Sequence, residues 1–150
     1  MDQHNWSWTL KRSFPSRRNA HLESMEEILG QLTELGWSDR ELFGVQMALE
    51  ESLTNAIRHG NKCDESKHVA IECKVSPERF WLRVEDEGPG FIPEHVPDCR
   101  KGKHLEACGG RGLMLIKAYM TTVEYNDRGN RVTMEKVRGE QSSELMDVSS

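Results

Sequence analysis

Nothing in this 150-residue chain is apolar for long: the longest uninterrupted run is four residues, Leu113 to Ile116. A membrane-crossing helix takes about 20 such residues, so none is expected. The opening Met1-Asp2-Gln3-His4-Asn5-Trp6 lacks the apolar stretch of a secretory signal, and the expected location is the cytoplasm. Basic residues are outnumbered, with 20 Lys+Arg against 25 Asp+Glu. No broad cationic field exists to hold a nucleic-acid backbone, so direct nucleic-acid binding is not expected. The cysteines Cys63, Cys73, Cys99 and Cys108 form no C-x-x-C pair and read as reduced thiols rather than a zinc site. What is present suits one domain, which at this length buries roughly 70% of its unfolded surface.

Large apolar and polar residues alternate over Trp6-Ser7-Trp8-Thr9-Leu10, the period of a half-buried strand, which Phe14-Pro15-Ser16 is expected to break. Ser16 is a candidate helix cap. Leu22, Met25, Ile28, Leu32 and Leu35 then recur at helical spacing, and Gly36 ends the run. Ser38-Asp39-Arg40-Glu41 has the form of a capping box. It opens a second helix, with Leu42, Val45, Leu49, Leu53 and Ile57 on its apolar row and Gly60-Asn61 as its stop. Val69 to Val75 and Phe80 to Val84 alternate around Ser76-Pro77-Glu78, the pattern of an antiparallel hairpin. Residues 86–112 hold six of the twelve glycines and three of the five prolines, and residues 91–109 are expected to form a lid. A short helix from Leu113 to Met120, strands Thr122 to Asn126 and Arg131 to Val137, and a flexible acidic, Ser-rich tail over 139–150 complete the reading.

Three segments carry polar residues in patterns suited to chemistry. On the second helix Glu51 and Asn55 are four residues apart, hence on one face and about 6 Å apart along the axis. An amide oxygen is a neutral hard ligand for a Mg²⁺ that also holds phosphate. A carboxylate one turn away can deprotonate or orient an attacking hydroxyl. Next, a strand runs into Asp86-Glu87-Gly88-Pro89-Gly90, where Asp86 can accept from an exocyclic amine and the glycines admit a ring closely. Last, Gly109-Gly110-Arg111-Gly112 precedes a helix, exposing backbone N–H groups to an anion. Each pattern alone is weak: a polar helix face, an ordinary turn and a flexible connection.

Their order is more specific. Ala48 to Gly60, then Asp86-x-Gly88-x-Gly90, then Gly110-x-Gly112-Leu113 resemble the N, G1 and G2 boxes of the GHKL ATPase superfamily. Within it the chain is most similar to bacterial anti-sigma-factor serine/threonine kinases. Phe14-Pro15-Ser16-Arg17 and Gly129-Asn130-Arg131-Val132 extend the likeness over about residues 8–138. The resemblance implies a Bergerat-type α/β two-layer sandwich, a mixed β-sheet covered on one face by helices, as one domain over 1–138. It implies ATP and Mg²⁺ as cofactors, Asn55 as metal ligand, Glu51 as catalytic base and Asp86 as the adenine contact. Gly88, Gly90, Gly110 and Gly112 would shape the nucleotide and lid contacts. His59 matches a recurrent N-box histidine, in either a structural or a ligand role. The chain departs from the pattern in lacking a lid cation next to Cys108 and a Thr after Gly129.

The function this implies is an ATP-dependent protein serine/threonine kinase acting as an anti-sigma factor, with an anti-anti-sigma protein as substrate and a sigma factor as second partner. Relatives often dimerise, so a homodimer belongs to the expectation. The alternative is an ATP-binding module that sequesters a partner without phosphate transfer.

Overall fold

The computed structural model describes residues 5–89 and 116–139. Among these residues five strands, β1 (Trp8–Pro15), β2 (His68–Val75), β3 (Arg79–Glu85), β4 (Thr122–Tyr125) and β5 (Arg131–Val137), form one sheet in the order β1-β2-β3-β5-β4. Helices α1 (Leu22–Glu34) and α2 (Asp39–Asn55), with a π-helical turn Ala56–Gly60, complete the two-layer sandwich. All pairings among the described strands are antiparallel, where the resemblance implied a mixed sheet. Among the described residues no helix is long and apolar enough to cross a membrane.

Period-two alternation sorts the strands into two faces. Leu10 and Phe14 of β1, Ile71 and Cys73 of β2, Leu82 and Val84 of β3, and Val132 and Met134 of β5 are buried, while the residues between them are more open. Register places Leu10 beside Cys73, Cys73 beside Leu82, and Leu82 beside Met134. Against this row lie Ile28 and Leu32 of α1 and Val45, Leu49 and Leu53 of α2, each fully buried. Burying one such side chain contributes about 1.5–3 kcal/mol. Leu22, which the helical spacing placed in the stripe, is 45% exposed, and Ser24 is buried in its place with its hydroxyl accepting from Arg12.

Strand β1 corrects the expected break at Phe14. It runs through Pro15, which pairs with His68, because β1 lies at the sheet edge, where proline's missing N–H costs no ladder bond. Ser16 does not cap α1. It is buried and donates its hydroxyl to the Lys67 carbonyl at 2.8 Å; the residue preceding α1 is His21, which makes no side-chain cap. The other helix signals hold. Gly36 takes φ +87°, and Trp37 N–H closes the end of α1 onto the Leu32 carbonyl at 3.1 Å. Ser38 accepts from Glu41 N–H at 3.2 Å at the start of α2.

The expected lid, the helix start at Leu113, Gly90, Gly110, Gly112 and the tail from 140 lie outside the described residues. Residues 116–119 are helical. They sit so close to α2 that a Cβ on Gly44 would lie 3.0 Å from the Tyr119 ring.

Candidate functional site

Glu51 and Asn55 occupy the last turns of α2, both half-buried, while Ser52 and Leu53 between them are buried. The helix drives its apolar row into the sheet and leaves this polar pair at the rim. After Asn55 the backbone widens into the π-helical turn, a local insertion often found at functional sites. The sequence suggested a glycine stop at Gly60, but Gly60 is not among the glycines with positive φ. It is needed for space: a Cβ there would lie 2.3 Å from the Asp86 carboxylate.

Asp86 sits just past β3, beside the end of the α2 segment. Its N–H donates to the Asn130 carbonyl at 2.9 Å, and its carbonyl accepts from Asn130 Nδ2 at 2.7 Å. Its Oδ1 accepts from Gly88 N–H at 2.8 Å, which bends the chain back at once. Gly88 presses on the π-helical turn so tightly that a Cβ would lie 1.9 Å from the Gly60 carbonyl oxygen. Its own carbonyl accepts from Arg128 Nη2 at 2.8 Å. Burial pushes the Asp86 carboxyl above the ordinary carboxylate range, while the Gly88 N–H and the Arg128 charge pull it back.

Asn61 ties these pieces together. Fully buried, it donates to Ser16 Oγ at 2.6 Å and the His68 carbonyl at 2.9 Å, and accepts from Glu87 N–H at 2.7 Å. One amide thus joins the end of β1, the start of β2 and the Asp86 turn to the helix carrying Glu51 and Asn55. Sequence reading missed Asn61, Arg128 and Asn130 as site-building residues and gave Gly60 the wrong reason. Their signal was adjacency to the motifs: Asn61 follows Gly60, and Asn130 follows Gly129. His59, left between two roles by the sequence, is exposed.

Glu50, one position from Glu51, faces elsewhere. Its Oε2 lies 3.1 Å from Nε2 of His21, whose ring is almost fully buried. This pair fastens the start of α1 to α2 and forms part of the wall of a separate concavity of about 430 Å³ that Arg18 and Arg58 also line.

Among the described residues no three His, Cys, Asp or Glu side chains gather as a metal site. The donor set at the rim of α2, a neutral amide beside a carboxylate, instead suits a Mg²⁺ that arrives carrying phosphate oxygens.

A two-layer sandwich with an Asp-x-Gly turn locked onto the end of an Asn-bearing helix is the frame of a nucleotide-binding ATPase domain. The chain belongs to the family described as the histidine kinase-like ATPase domain, which matches residues 15–136. It is 32% identical over 113 residues to a protein of Clostridium perfringens named anti-sigma F factor, covering 70% of this chain and 79% of that protein. It is 28% identical over 124 residues to a serine-protein kinase, RsbW, of Listeria monocytogenes, covering 78% of this chain and 79% of that one. A serine-protein kinase RsbW of Listeria innocua is 29% identical over the same length.

Proposed function

We propose that this protein is a cytoplasmic ATP-dependent serine/threonine kinase that acts as an anti-sigma factor and phosphorylates an anti-anti-sigma partner. The observation that carries this reading is the contact between Gly60 and Asp86. It brings the turn suited to a base and the helix suited to a phosphate-bound metal into one rim, in a family of ATPase domains whose relatives include named serine-protein kinases.

In this reading the Asp86 carboxylate accepts from the adenine amine, Gly88 shapes the contact by letting the turn close on Gly60, and Gly90 leaves room for the ring. Asn55 offers its amide oxygen to Mg²⁺, and Gly110 and Gly112 offer backbone N–H groups to the phosphates. The metal, when bound, supplies charge neutralisation on the phosphates. The partner's Ser or Thr oxygen forms the new bond to the γ-phosphorus as the bond to the ADP oxygen breaks. Glu51 takes or aligns the hydroxyl proton, and ADP leaves.

The test is incubation with γ-labelled ATP, Mg²⁺ and the anti-anti-sigma proteins of the same genome. Label on a partner Ser or Thr is the expected result. Tight ATP binding with no transfer to any partner replaces the kinase with an ATP-dependent sequestering module.

A further inference from the structure

The turn between β4 and β5 is held by more side-chain hydrogen bonds than a connection needs. Asn126 Oδ1 accepts from the N–H groups of both Gly129 and Arg131, at 2.9 and 3.1 Å. Its Nδ2 donates to Asn130 Oδ1 at 2.9 Å, and Gly129 takes φ +79°. Asn130 is buried and clasps both the N–H and the carbonyl of Asp86. Built this way, the turn aims Arg128 across forty positions of sequence, where Nη2 donates to the Gly88 carbonyl at 2.8 Å.

We propose that Arg128 is a positioning residue for nucleobase recognition: it pins the carbonyl of Gly88, the residue whose N–H holds the carboxylate that meets the base. The proposal rests on Asp86 being the adenine contact. The geometry has two consequences. The Asp86 turn cannot open without breaking a charge-assisted hydrogen bond. The carboxylate, which burial disfavours as an anion, is also within reach of the Arg128 charge, which favours the anion. The other charges facing Asp86 are Lys67 from the loop before β2, which favours the anion, and Glu85 on its own strand, which opposes it. Glu85 is itself paired with Arg131 at 3.3 Å. From the π-helical turn the contact is the uncharged Gly60.

Two measurements on the full chain test this, using parent, Arg128→Gln and Arg128→Lys. Carbon-detected NMR titration of the Asp86 carboxyl needs no ligand. Its midpoint should move to higher pH in Arg128→Gln and stay near the parent's in Arg128→Lys, which keeps the charge. Calorimetry with ADP should show affinity about tenfold weaker in Arg128→Gln, the scale of one charge-assisted hydrogen bond. The acid side of that variant's affinity profile should begin at higher pH, and Arg128→Lys should recover part of the loss. An unmoved midpoint, or one moved equally by both substitutions, overturns the proposal, as does parental ADP affinity in Arg128→Gln. Failure of the underlying reading looks different: the parent binds ADP and Asp86→Asn leaves affinity unchanged. In that case Arg128 holds a turn that recognises no base, and the proposal falls with it.

Discussion

Gly60 and Asp86 occupy one space: the place a Cβ would take on Gly60 lies 2.3 Å from the Asp86 carboxylate. Gly60→Ala should therefore displace the carboxylate, cost about 1–3 kcal/mol as overpacking does, and abolish ADP binding. Gly30 is the control. It lies in α1 with nothing within 4 Å of an added Cβ, so Gly30→Ala should stabilise by about 0.4–1 kcal/mol. Denaturant unfolding and ADP calorimetry on both variants check the pair. Equal ADP affinity in parent and Gly60→Ala would remove Gly60 from the site.

On α2, neighbouring glutamates should separate chemistry from structure. Glu51→Gln keeps size and loses the proton acceptor, so phosphate transfer should fall by on the order of a hundredfold or more with ATP affinity unchanged. Asn55→Ala should instead weaken Mg-ATP binding itself. Glu50→Ala leaves the buried His21 without its partner, and should cost about 1–3 kcal/mol of stability. Parental transfer in Glu51→Gln, measured with labelled ATP, would exclude it as the base.

Asp86 should set stability against binding. Its carboxyl lies above the ordinary range chiefly through burial. The folded state therefore holds its proton to higher pH than the unfolded state does, and this contribution fades as pH rises through the raised value. Asp86→Asn removes the charge, so it should melt above the parent at pH 7, with the gap closing near pH 3, where both states are protonated. The same variant should lose ADP affinity at pH 7. Thermal melts across pH decide this; a lower melting temperature for Asp86→Asn at pH 7 would contradict the burial argument.

The thiols offer a probe of global opening. Cys63 is exposed, whereas Cys73 is fully buried in the central sheet, where burial drives its thiol far up. Maleimide labelling followed by peptide mapping should modify Cys63 at once. Cys73 should react slower by on the order of a thousandfold or more, because reaching it requires opening against a global stability of about 5–15 kcal/mol. Comparable rates at the two thiols would mean that the core opens locally.

By itself the sequence determined what depends on neighbours along the chain. Period-two runs set β2, β3 and β5, helical spacing and the Ser38 box set α1 and α2, and Glu51 and Asn55 shared a face because four residues make about one turn. Only the tertiary structure decided what crosses between segments. Pro15 is tolerated in β1 because that strand falls at the sheet edge, and Ser16 serves Asn61 rather than α1. Gly60 is glycine because a carboxylate from position 86 fills its side-chain space, and Arg128 reaches Gly88 because β5 lies beside β3. Local periodicity is dictated by backbone geometry and can be read from spacing. Close approach of distant residues is set by how the layers pack, and each such position carries only one letter of that information in the chain.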